Sequence, residues 1–140
     1  MKISAKQYLQ QVRILDEHIM KDIEQLEAMR SNATGQGAIR YDKDRVQSSP
    51  QDRLCSDVCD IVTFNEEINE KIDRFVDLKE RVIDQIKTLD AEQIQRDVLM
   101  KTYIEYKSNR QVASEIQKSG SHTFAIKAKA LKNFEAQYMV

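Results

Sequence analysis

The sequence predicts an all-α chain: a long antiparallel helical hairpin of coiled-coil character, then a three-helix helix-turn-helix module. Three observations carry this. Helix breakers are scarce, with 3 Gly and 1 Pro in 140 residues, while charged residues make up 32%, as in long solvent-washed helices. Apolar residues recur at three- and four-residue steps over two long stretches, the period of a helix with one apolar face. From Arg96 to Glu135 three shorter helical patterns follow, separated by two short connectors. The hairpin is expected over residues 1–90 and the helix-turn-helix over residues 91–140.

The first helix is expected from about Ser4 to Ser31. Leu9, Val12, Leu15, Ile19, Ile23, Leu26 and Met29 form its apolar face, and Ser4 can cap it. Gly35 and Gly37 break the pattern. Residues 32–49 then read as a polar loop holding Arg40, Lys43 and Arg45 with Tyr41 among them. Basic residues around an aromatic can touch nucleic acid. A solvated connector fits better, because Asp42 and Asp44 cancel two of the charges.

The second helix is expected to start at Ser49-Pro50, a capping serine followed by a first-turn proline, and to reach about Leu89. Leu54, Val58, Ile61, Asn65, Ile68, Ile72, Phe75, Lys79, Val82, Ile86 and Leu89 follow alternating four- and three-residue steps, and nine of the eleven are apolar. That is a coiled-coil seam. Asn65 and Lys79 interrupt it, as polar seam residues do where they set register. Val62, Val76, Leu78 and Ile83 widen the stripe. A helix of about forty residues spans roughly 60 Å, so its shorter neighbour is expected to leave part of it bare. A second copy of the chain would cover the remainder, which makes Ile61, Asn65, Ile68, Ile72, Phe75, Lys79 and Val82 the candidate homodimer or partner interface. A monomeric hairpin with the C-terminal helices tucked against it is the alternative. Cys55 and Cys59, four residues apart, are expected to be ordinary thiols in a helix interface. His18 and His122 lack ligand spacing to them, and one helical turn is a poor geometry for a disulfide.

The third helix is expected to begin at Asp90-Ala91-Glu92 and to end around Tyr106–Asn109, with Ile94, Val98, Leu99, Tyr103 and Ile104 on its buried face. The fourth, Arg110–Lys118 with Ser108 or Asn109 as cap, carries the small Ala113 where a crossing helix must come close. Ser119-Gly120-Ser121 is expected as the turn, one of its serines capping the last helix, Thr123–Tyr138. Phe124, Ile126, Ala130, Leu131 and Phe134 are expected to pack, leaving the lysines for phosphate.

Charge agrees with this division. From Arg96 onward there are eight Lys/Arg and four Asp/Glu, against fourteen and nineteen before it, in a chain of net charge −1. A basic module on an acidic body suits nucleic acid. In a helix-turn-helix the first residues of the last helix lie nearest base edges. Ser121, His122, Thr123, Ala125 and Lys129 are therefore candidates for base contact, and Arg110, Lys118, Lys127 and Lys132 for phosphate, with double-stranded DNA as the expected partner. The first turn holds no Arg, Gln or Asn, the strongest bidentate base readers, so sequence reading is expected to be weak or delegated to a partner.

Several strings resemble a family of phage and prophage proteins of Gram-positive bacteria, the sigma-factor-like late transcriptional regulators related to the ArpU and RinA groups. They are Tyr8-Leu9 to Arg30, Asp44-Arg45-Val46-Gln47-Ser48-Ser49, Asn65-Glu66-Glu67-Ile68-Asn69 with Ile72-Asp73, Val76-Asp77-Leu78-Lys79, and Ile126-Lys127-Ala128-Lys129-Ala130-Leu131. The resemblance implies a promoter-reading helix-turn-helix with its turn serine at Ser119, and contact with RNA polymerase or another regulator. The chain departs from the pattern at Gly120 and Ser121, where basic residues are usual, and at Thr123, where valine is usual.

No catalytic constellation is legible. There is no glycine-rich phosphate loop and no Gly-x-Ser-x-Gly elbow, and the two histidines fall in unrelated segments. Glu66, Glu67 and Glu70 lack a Glu-x-x-His counterpart. The expectation is a non-enzyme without metal or cofactor. No apolar run approaches the eighteen or so residues of a membrane span, and Met1–Lys6 has no signal core, so a cytoplasmic location in a bacterial host is expected. A protein-interaction module that binds a host or rival regulator, without DNA binding of its own, is the alternative function.

Overall fold

Ser4 opens the first helix with a reciprocal cap. Its hydroxyl accepts from the Gln7 backbone N–H at 3.2 Å, and Gln7 Oε1 accepts from the Ser4 N–H at 3.0 Å, so two orphan donors are satisfied at once. A computed structural model describes residues 3–33 and 50–139, with side chains described from Ser56 in the second segment. Among these residues every regular element is helical and none is a strand. The elements are α1 (Ala5–Ala33), α2 (Pro50–Lys87), α3 (Gln93–Leu99), a wider π turn (Met100–Ile104), α4 (Asn109–Ile116) and α5 (Gly120–Tyr138). No described helix is long and apolar enough to cross a membrane. The expected basic loop with Arg40, Tyr41, Lys43 and Arg45, and the side chains of Leu54 and Cys55, lie outside the described residues.

The chain divides into two compact units. One joins the start of α1, up to Asp16, to everything from Phe75 onward; the other runs from Glu17 to Arg74. The reason lies in the core of the first unit. Ala5, Leu9 and Val12 from α1 and Val82, Ile86 and Leu89 from the end of α2 share one cluster with Leu99, Tyr103, Ala130 and Phe134. Short helices cannot bury an apolar face alone, and α3, the π turn and α5 find theirs against these two ends. Tyr8 Oη donates to Gln85 Oε1 at 2.8 Å at the rim of this core.

The connector between α2 and α3 is held from both sides. Arg96 Nη1 donates to the Leu89 carbonyl at 2.9 Å, and Gln137 Oε1 accepts from the Asp90 N–H at 2.8 Å. Backbone polar groups in a turn need such partners when they leave water. α3 then widens into its π turn, where Glu105 N–H donates to Met100 O, five residues back. Tyr106 closes it at φ 58°, in the left-handed region, with the Arg13 guanidinium 5.4 Å from its ring centroid.

In the second unit Ile19, Leu26 and Ile68 are buried. Lys71 Nζ pairs with an Asp22 carboxylate oxygen at 2.5 Å, and Met29 and Asn32 share a small cleft with Asp57, Asp60 and Ile61. Residue numbers rise along α1 as those of its neighbours on α2 fall. Cys59 is exposed and carries a free thiol; the expected place in a helix interface does not hold for it, because Ile61 and Ile68, not Cys59, lie on the inward side of α2.

The expected partner seam on α2 is occupied in large part within the single chain. Ile68 and Val82 are 3% and 0% exposed, and Ile61, Asn65, Ile72, Phe75 and Lys79 are half-buried. The Lys79 ammonium sits over the Phe75 ring, 5.6 Å from its centroid, a cation–π contact.

The turn between α4 and α5 also differs from expectation. Gly120 and Ser121 belong to the first turn of α5, and the left-handed residue is Gln117, at φ 59°. A Cβ at Gly120 would meet only Asn109 Nδ2, at 3.8 Å, so glycine is not demanded there. It is favoured at position 117, where a side chain in the left-handed region costs about 1 kcal/mol. Gln117 is exposed. Gln117→Gly is expected to stabilise the fold by about 1 kcal/mol, raising the thermal midpoint by several degrees. An unchanged or lowered midpoint would count against this strain.

Candidate nucleic-acid interface

The candidate site is built on α4 and α5, and capping sets where each begins. Ser108 Oγ accepts from the Gln111 N–H at 3.2 Å and Gln111 Oε1 accepts from the Ser108 N–H at 3.0 Å, so α4 starts with a capping box. Val112 and Ala113 are 0% and 7% exposed. Ser119 caps α5 through the His122 N–H at 3.1 Å. Ser119→Ala should cost about 1 kcal/mol, read as a lower urea midpoint with an unchanged slope.

Helical geometry sorts the side chains of α5, because successive residues turn by about 100°. Thr123, Ala130 and Phe134 are buried at 0% exposure. On the far side Ser121, His122, Ala125, Ala128, Lys129 and Lys132 are exposed. Lys129 and Lys132 lie within about 60° of one another on that side. Lys118, in the turn, and Arg110, in the first turn of α4, are exposed as well. The outward face of α5 thus carries lysines among small residues, which allow a close approach by another surface.

Two expected contact residues are placed otherwise. Thr123 is fully buried, and its hydroxyl donates to the Ser119 carbonyl at 2.9 Å, so it secures the start of α5 and has no surface to offer a base. Lys127 is half-buried. It lies seven residues before Phe134, hence within about 20° of the core direction, and about 160° from Lys129. Burial, and next the Lys6 ammonium on α1, hold its pKa below the usual lysine value. Its ammonium stands 5.5 Å from the Phe124 ring centroid. Phe124, expected in the core, is 61% exposed, because ten residues from Phe134 amount to about 80° around the helix.

Not every basic residue of this region is available to a phosphate. Glu115 Oε1 accepts from Lys101 Nζ at 2.7 Å and from Lys107 Nζ at 2.8 Å, and Lys107 also meets Glu105 at 2.9 Å. The hydrogen bonds from Lys101 and Lys107 lower the Glu115 pKa, while those to Glu105 and Glu115 raise that of Lys107. The pairing is therefore complete at neutral pH and is lost as pH falls through the lowered Glu115 value.

Sequence reasoning missed Glu92 and Gln95. With Ile94 they line a cleft of about 400 Å³ whose other wall is Lys118, His122, Ala125, Ile126 and Lys129. Gln95 is 5% exposed, and its Oε1 accepts from Asn133 Nδ2 at 2.7 Å. A glutamine in a polar stretch carries no sign of burial; only the packing of α3 on α5 reveals it. No protein-family model, curated protein or solved structure matches the chain.

Proposed function

We propose that the chain is a non-catalytic, phage-type transcription regulator that docks on promoter DNA through α4 and α5, used as a helix-turn-helix. One observation carries the reading. α5 buries one side against the core and presents His122, Lys129 and Lys132 among small residues on the other, with Lys118 beside them in the turn. In a helix-turn-helix such a face enters the major groove, its first residues near base edges and its lysines near phosphates. The long helices α1 and α2 then act as an antiparallel hairpin. The falling order of their partners, Tyr8 with Gln85 in one unit and Asp22 with Lys71 in the other, supports this. Self-association, or contact with RNA polymerase or another regulator, falls to apolar residues the fold leaves open, such as Met20, Val58 and Val62. The site of action is the bacterial cytoplasm.

The test is a mobility-shift titration of the full chain on a mixed-sequence duplex. If Arg110, Lys118, Lys129 and Lys132 each neutralise one phosphate, affinity should fall about 10²-fold between 50 and 200 mM salt. A shift that ignores salt, or none at either concentration, would refute DNA docking.

A second reading, a protein-binding module without DNA affinity, is favoured by Phe124. An aromatic ring 61% exposed is of the type that anchors protein interfaces. Under that reading Phe124→Ala abolishes partner capture, while Lys129→Ala leaves it intact.

A further inference from the structure

The cleft between the start of α3 and the first turns of α5 has mixed chemistry. Lys118, His122 and Lys129 supply cations or donors on one wall; Ile94, Ala125 and Ile126 supply apolar surface. Gln95 sits deeper, 95% buried by its 5% exposure. Asn133 Nδ2 already donates to its carbonyl oxygen, and its NH2 is the donor it can offer an anion. Holding that donor in place in advance removes the ordering cost of using it. One lining group opposes an anion: the Glu92 carboxylate, whose side chain makes no capping hydrogen bond to α3.

We propose that this cleft seats one sugar–phosphate unit of the DNA backbone, with Gln95 as a buried donor to the phosphate and Glu92 as a built-in brake on affinity. The proposal rests on the reading of α5 as the DNA-facing helix and deepens it. A diester anion meets Lys118, His122 and Lys129, while the carbon face of the deoxyribose lies on Ile94, Ala125 and Ile126. The volume of about 400 Å³ exceeds what a phosphate alone fills and accommodates the attached sugar. A cleft of purely ionic purpose would not need its apolar floor. Backbone seating of this kind fixes register without reading sequence.

The brake gives the proposal an unusual signature, since removing an acid should strengthen binding. The full chain is titrated with a labelled mixed-sequence duplex at several salt concentrations, and dissociation constants are read by anisotropy. Glu92→Gln is expected to tighten binding about threefold at low salt, an advantage that shrinks as salt screens it. Gln95→Leu is expected to weaken binding about tenfold with the salt slope unchanged, because a neutral amide displaces no counterion. Lys132→Ala, outside the cleft, should lower the slope by about 0.9. If Glu92→Gln binds no tighter while Lys132→Ala still lowers the slope, the seat is overturned and DNA docking stands. If the unaltered chain shows no salt-dependent binding, both fall. Glu92 is exposed, so its variant keeps the test decisive should Gln95→Leu disturb the fold.

Discussion

If α5 docks on DNA as proposed, exchanging Lys118, Lys129 and Lys132 together for alanine should remove most of the affinity for duplex DNA. Each lysine that neutralises a phosphate releases condensed counterions, so the log–log dependence of affinity on salt should flatten by about 2.7, or 0.9 for each contact. All three side chains are exposed, so far-UV circular dichroism and the thermal midpoint should stay close to those of the unaltered chain. The informative control is Lys127→Ala. Lys127 has the same chemistry and lies between these residues in sequence, yet its side chain is half-buried, with its ammonium 5.5 Å from the Phe124 ring centroid and its pKa lowered by burial and next by Lys6. It should leave the salt slope unchanged. If Lys127→Ala flattened the slope as much as Lys129→Ala, the division of α5 into a core-facing and a DNA-facing side would be wrong.

Phe134→Ala should be the most destabilising single substitution in the C-terminal region. The ring is 0% exposed, with its centroid 6.0 Å from that of Tyr8 and 5.0 Å from that of Tyr138. It joins α5 to α1, and its cluster draws on both ends of the chain. Emptying such a site costs about 3–5 kcal/mol, a large share of the 5–15 kcal/mol typical of a whole domain. The urea midpoint should fall accordingly. The proposed DNA binding should fall with it, because α5 cannot hold its outward face without its inward one. Phe134→Leu, which keeps most of the volume, should cost much less. Equal losses for the two variants would argue that the ring contacts, not cavity volume, dominate.

The helices were legible because their signals are local. Ser4, Ser108 and Ser119 cap the helices they precede, and capping depends on residues three positions apart. Leu9, Val12, Ile19 and Leu26 are buried as their spacing requires, and so are Val98, Leu99, Tyr103 and Ala113. The candidate site was legible only in part. Arg110, Lys118, Ser121, His122, Lys129 and Lys132 are exposed, whereas Thr123 is buried and Lys127 half-buried. A lysine gives no sign of its direction until the core axis of its helix is known. Gln117, in place of a glycine, ends α4 in the left-handed region, which no composition rule signals.

What the sequence determined by itself is the helical state of the chain and the approximate ends of each helix, because hydrogen bonding, capping and periodicity act within a few residues. Tertiary structure alone decided which faces meet. It joined α3, the π turn and α5 to the start of α1 and the end of α2. It also buried Gln95 beside Asn133, 38 positions away. Those choices depend on apolar area shared between residues far apart in sequence, and the geometry that brings such residues together exists only once the helices have packed.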